Sequence, residues 1–144
     1  MVCSPPSAPS PVVTRKILHL ALWGAQVLLA LVFGSAGFMK TTMPIARLVQ
    51  NGIVWTGDVP SWLVRGIGTC ELAAAVGLIL PSVTRIRPEL TPLAALGLLA
   101  IMVLAMGFHI IRGEPQVVPM TMLLGGIAAF VASGRYAKVP ILPR

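Results

Sequence analysis

The sequence predicts an all-α membrane protein, a bundle of four transmembrane helices with both termini in the cytoplasm. Three observations lead there. Of 144 residues, 56% are hydrophobic and only 10% charged, against about 45–50% and roughly 25% in soluble domains, so the excess must face lipid. Four apolar runs, at about 17–39, 62–80, 90–111 and 117–134, approach or reach the roughly 17–25 residues that span a bilayer as a helix. None alternates with a period of two, which excludes a barrel, and backbone groups without water must then be satisfied within helices.

Residues 1–14, MVCSPPSAPSPVVT, are rich in Pro and Ser and carry no charged side chain; they are expected to form a disordered tail. The membrane domain runs over 15–136 and ends in a cytoplasmic tail, 137–144. Arg15 and Lys16 precede the first run as in a signal peptide, but its apolar core exceeds the roughly 7–15 residues of such a segment and three more spans follow. The first helix is therefore read as uncleaved. In the long connection after it, Ile45, Leu48 and Val49 recur at helical spacing between Pro44 and Asn51-Gly52, the pattern of a short surface helix. Trp55 and Trp62 are expected to anchor at headgroup depth.

The second run carries a stripe of small residues, Gly66, Cys70, Ala73, Ala74 and Gly77, and is expected to end at Pro81. A similar stripe, Gly125, Gly126, Ala129 and Ala132, marks the fourth run, and such stripes let helices approach closely in lipid. PSVTRIRPE is a short basic turn, with Pro88 and Pro92 framing the start of the third helix. RGEPQ is a tight turn in which Arg112 and Glu114 are expected to form a solvated pair of little energetic consequence. The fourth run is short and is expected to reach Tyr136.

Basic residues set the orientation. Arg15, Lys16, Arg85, Arg87, Arg135, Lys138 and Arg144 lie on one side, and Lys40, Arg47, Arg65 and Arg112 on the other, so a multi-pass protein of the cell membrane with both termini on the cytoplasmic side is expected. The formal net charge of +7 is thus accounted for without nucleic acid, and no basic run interleaves with aromatics. Cys3 and Cys70 form no Cys-x-x-Cys pair, so a thiol–disulfide centre within the chain is not expected. His19 and His109 fall at opposite faces of a hydrocarbon core about 30 Å thick and cannot share a haem iron. No residue set has the ligand count of a zinc or di-iron site.

One stretch raises a chemical question. GTCELAAAVGLIL places Glu71 nine residues below Trp62, roughly 13 Å under the outer boundary. A carboxylate at that depth costs several kcal/mol unless it is paired, and ionisable groups in spans are functional candidates by default. The available groups in the outer half are Lys40, Arg65 and His109. Cβ atoms tilt toward a helix's N-terminus, so Glu71 on a descending helix leans outward and His109 on an ascending one leans inward. The two are read as a candidate proton-transfer pair, with Lys40 able to reach both. Arg65 is six residues from Glu71 and about 120° round the helix; it is expected to reach headgroup phosphates. Lys40 and Arg65 are the candidate ligand-binding residues.

FGSAGFMK at the end of the first helix, GTCELAAAVGLILP in the second and LAMGFHII at the end of the third resemble the DoxX-like family of small four-helix membrane proteins over about residues 17–136. The family's Gly-x-x-Lys falls on Gly37 and Lys40, its Gly-x-x-Glu on Gly68 and Glu71, and its third-helix His on His109. DoxX relatives include quinone-linked subunits of thiosulfate oxidation and associates of redox enzymes. The resemblance thus implies an accessory subunit of a membrane redox system, with a membrane or redox protein as partner. Its outer-half pocket, lined by Lys40, Glu71 and His109, would take a quinone or other lipophilic molecule, with no cofactor bound covalently.

Two alternatives stand beside this reading. More distant relatives look like sterol-isomerase-type enzymes, which implies an intramembrane isomerase or cyclase with Glu71 as general acid and His109 as general base. A non-catalytic bundle that works through contacts with another membrane protein suits the small-residue stripes equally well.

Overall fold

Four long helices and one short one carry the chain: α1 (Pro11–Thr42), α2 (Ile45–Gln50), α3 (Ser61–Thr84), α4 (Leu90–Ile111) and α5 (Val118–Ser133). The computed structural model describes residues 11–144, and there is no strand among them. Four segments, Val12–Thr42, Ser61–Thr84, Leu90–Ile111 and Pro115–Lys138, are long and apolar enough to cross a membrane. They pack as an antiparallel ring in which α1 lies against α3, α3 against α4, α4 against α5, and α5 back against α1.

The core runs down the ring's axis through Leu29, Leu78, Leu98 and Val131, all fully buried, with Phe33 and Met102 beside them. The outer surface is equally apolar. Leu20, Leu104 and Ile111 are 70%, 74% and 88% exposed, and a continuous belt of such side chains is stable only against lipid.

The elements depart from the sequence pattern in four places. Helix α1 already covers residues 11–14 of the expected tail; residues 1–10 of that tail lie outside the described residues. Helix α3 continues through Pro81 to Thr84. Proline removes the backbone bond to the Gly77 carbonyl, and the next carbonyl, Leu78, accepts side-chain hydrogen bonds from Ser82 and from Gln26, the latter tying this turn to α1. Only part of the α3 stripe faces a neighbouring helix: Ala74 is buried and a Cβ on Gly77 would fall 2.9 Å from Ala94 Cβ, whereas Gly66, Cys70 and Ala73 are exposed and Gly68 and Ala75 are buried beside Ala74 instead. Finally, α5 stops at Ser133 and a π turn, Gly134–Lys138, extends it.

At the end of the bundle that holds Arg144, a polar network ties all four long segments together. Gln26 of α1 donates through Nε2 to the Leu78 carbonyl at 2.7 Å and to Ser82 Oγ at 2.9 Å. Ser82 Oγ lies 2.8 Å from Thr91 Oγ1 of α4. Arg135 donates through Nε to Gln26 Oε1 at 2.6 Å and through Nη1 to His19 Nδ1 at 3.2 Å. Buried polar groups persist in an apolar interior only when partnered in this way.

Candidate functional site

Two glycines bring α1 and α3 into backbone contact at the opposite end. A Cβ on Gly37 would fall 2.6 Å from the Gly68 carbonyl oxygen, and a Cβ on Gly68 would fall 2.7 Å from Lys40 Cβ. No larger residue fits either position, which is the packing logic of small residues between membrane helices. Lys40 and Glu71 each follow one of these glycines by three residues, so the crossing lays one side chain over the other. Lys40 Nζ donates to both carboxylate oxygens of Glu71 at 2.7 Å, and both residues are buried.

The same corner holds Arg65. Pro44 has no N–H to bond the Lys40 carbonyl four residues earlier, leaving it an orphan of the helix end. Arg65 Nη1 donates to that carbonyl. The expected reach of Arg65 to headgroup phosphates is replaced by this backbone cap, which fixes the α1 terminus under Lys40.

The third candidate, His109, is positioned by the end of α4. Gly113 adopts φ +72°, the Gly113 N–H bonds the Ile110 carbonyl, and the Glu114 N–H bonds the His109 carbonyl at 2.9 Å. This is the Schellman motif, which needs a left-handed residue after the helix. It folds Glu114 back onto the helix it has just left, and Glu114 Oε2 lies 2.6 Å from His109 Nδ1. Arg112 bridges onward, donating to Glu114 Oε1 and pairing at 2.7 Å with Asp58 of the long connection.

Arg112 and Glu114 are therefore half-buried members of a network, not the isolated solvated pair that their spacing predicts. The Arg112 guanidinium, and after it the His109 ring, hold the Glu114 carboxyl below its ordinary range. Glu114, with Asp58 behind it, raises Arg112 in turn. A carboxylate can only accept, so His109 donates from Nδ1, and Nε2 is the ring nitrogen left for other work.

Lys40, Glu71 and His109 all line one cavity of about 490 Å³ enclosed by α1, α3, α4 and α5. Its remaining walls are chiefly apolar, with Phe33, Leu63, Ile67 and Met102 among them. Trp55 of the long connection also lines the cavity, edge-on against Phe108 with ring centroids 6.0 Å apart. It belongs to the site rather than serving only as an interfacial anchor.

The structure thus brings Lys40 and Glu71 into direct contact and places His109 on the same cavity, but gives His109 a different carboxylate. Glu71 and His109 share no hydrogen bond among the described residues. Arg65 stands behind Lys40 and does not line the cavity. Sequence reasoning missed Glu114, Asp58 and Trp55 as parts of the site; the Arg-Gly-Glu after a helix ending in His was the one available signal, since Gly after a helix announces the fold-back.

Comparison with curated proteins and with solved structures finds no match. A sequence model of the DoxX-like family matches residues 24–131, a stretch that contains the Gly37/Gly68 crossing and every cavity-lining ionisable group. With well over half its length matched, this chain of four membrane helices belongs to the DoxX-like family.

Proposed function

We propose that this integral membrane protein is an accessory subunit of a membrane redox system, and that its cavity holds a quinone or another lipophilic molecule with a carbonyl or hydroxyl head. The observation that carries the reading is the Lys40–Glu71 pair and His109 on the walls of one otherwise apolar cavity of about 490 Å³. Small-molecule sites typically measure about 300–1,000 Å³ and are apolar with a few placed polar groups. The basic-residue asymmetry supports an outer-half position for this cavity.

A quinone supplies two-electron, two-proton chemistry when bound, and the residues present fit the proton half of it. His109 Nε2 takes a proton from a hydroxyl head or returns one to a carbonyl, while Glu114 on Nδ1 stabilises the imidazolium. Lys40 orients the polar head by donation, and Glu71 fixes Lys40 in place. Trp55 and the apolar walls exclude water from the exchange. Electron transfer belongs to a partner redox protein.

The test is titration of ubiquinone and menaquinone into the purified chain in nanodiscs, in the parent, E71Q and H109A. Affinity should fall by about tenfold in each variant, the loss of one good hydrogen bond to a charged or polar group. Unchanged affinity in both would end the quinone reading.

Glu71 and His109 facing one cavity also favours a second reading, an intramembrane isomerase or cyclase. The two part on composition: the subunit reading expects a redox protein to remain with the chain in mild detergent, and the enzyme reading expects turnover by the chain alone.

A further inference from the structure

The end of the bundle that holds Arg144 carries a buried charge with no carboxylate against it among the described residues. Arg135 is only 3% exposed, yet its partners are an amide, an imidazole and the Val139 carbonyl. No carboxylate pairs with it among the described residues, and its Nη2 has no hydrogen-bond partner there. Trp23 offers only a ring face, 5.6 Å from the guanidinium carbon. The other end is the reverse: three of the chain's four acidic residues, Asp58, Glu71 and Glu114, sit there and each is paired.

A groove opens directly beside this guanidinium. His19 and Val139, the two residues that Arg135 Nη1 contacts, both form its wall, together with Arg15, Lys16, Val12 and Leu20. Positions 12, 15, 16, 19 and 20 share one face of α1, so the groove combines two exposed cations and an imidazole with an apolar strip. Its volume is about 700 Å³. Val12 and Leu20 are 63% and 70% exposed, apolar surface beside the cations.

We propose that this groove binds the phosphoryl group of an anionic amphiphile, with Arg15, Lys16 and His19 as its direct contacts and Arg135 as the fixed charge behind them. Arginine forks match phosphate oxygens, and basic pockets between membrane helices are suited to anionic head groups. The apolar strip favours an esterified phosphate over a free one. The site is independent of the cavity at the Lys40 end, and neither requires the other to be occupied.

The full chain in nanodiscs of equal parts phosphatidylglycerol and phosphatidylcholine, released and weighed by native mass spectrometry, tests this. The parent should retain phosphatidylglycerol in preference to phosphatidylcholine. R15Q/K16Q should lose that preference roughly tenfold or more, two charges being removed from the contact. R85Q/R87Q, which removes equal charge from the neighbouring turn, should retain it. Both pairs of residues are exposed, so the comparison does not depend on the folding of a buried-site variant such as R135Q. Adding glycerol 3-phosphate separates the sources: displacement of the lipid means that the phosphoryl group alone suffices, and retention means that the acyl chains contribute. Equal retention of the two lipids by the parent, or equal loss in the two double variants, would overturn the proposal.

Discussion

Lys40 Nζ lies 2.7 Å from both carboxylate oxygens of Glu71, and the contact is set by backbone, because Gly37 and Gly68, each three residues earlier, are where α1 and α3 touch. The short motifs Gly-x-x-Lys and Gly-x-x-Glu are one structural unit. The glycine makes the crossing and the charged residue uses it.

Filling the crossing should separate the pair. G37A places a methyl 2.6 Å from a backbone oxygen and should cost about 1–3 kcal/mol, as overpacking does. G66A on the same α3 meets nothing within 4 Å and should be neutral or stabilising by up to about 1 kcal/mol through helix propensity. Thermal unfolding of both in one detergent checks the contrast.

Removing half of the ion pair should be worse than removing all of it. K40M leaves a buried carboxylate without its cation, a change that costs about 3–5 kcal/mol in buried pairs, while replacing both partners by apolar residues is far milder. K40M/E71L should therefore be more stable than K40M. The same melts measure it, and a double variant no better than K40M would mean that the pair does not act as a unit.

The four spans and the pairing need of Glu71 were legible because both are local: apolar run length sets the first, and a carboxyl in a run such as GTCELAAAVGLIL announces the second. The Glu71 partner was harder to choose. Lys40, Arg65 and His109 all lie at the right depth, and only the Gly37/Gly68 crossing decides among them. The small residues of α3 show only part of the contact: Ala74 and Gly77 do face neighbouring helices, but α3 is small on several sides and nothing in Gly66, Cys70 and Ala73 distinguishes them from Gly68. Gln26 and Arg135 meet across a separation of 109 residues, and such a contact leaves no local pattern.

That long-range network predicts a large effect from a conservative-looking change. Q26L keeps the volume of the side chain but takes the acceptor from Arg135 Nε and the donor from the Leu78 carbonyl. The Leu78 carbonyl keeps Ser82 Oγ, so the cost of about 1–3 kcal/mol falls on Arg135 Nε, the buried donor left alone. S82A should cost less, because Gln26 still reaches the Leu78 carbonyl. Chemical denaturation in detergent orders the two.

The Glu114 network should respond to acid in a defined sense. Arg112 first, and His109 after it, hold the Glu114 pKa below its unfolded value, so the folded state binds fewer protons and its stabilisation is fully present above the ordinary Glu pKa of about 4.3. It is lost as pH falls through the lower folded value. The melting-temperature difference between parent and E114Q should be constant near neutrality and shrink below about pH 4.3. A difference that grows on acidification would reverse the assignment.

Trp55 on the wall of the cavity gives the most direct measurement of the central claim, that Lys40, Glu71 and His109 serve one ligand site. In a W23F/W62F background Trp55 is the remaining tryptophan of the chain's three, and a quinone held in the cavity must quench it. The account predicts saturable quenching by a short-chain quinone in nanodiscs, weakened about tenfold in H109A, where one polar contact is lost. Quenching that rises linearly with quinone in the bilayer, equally in parent and H109A, would mean that the cavity does not select the molecule, and would contradict the account.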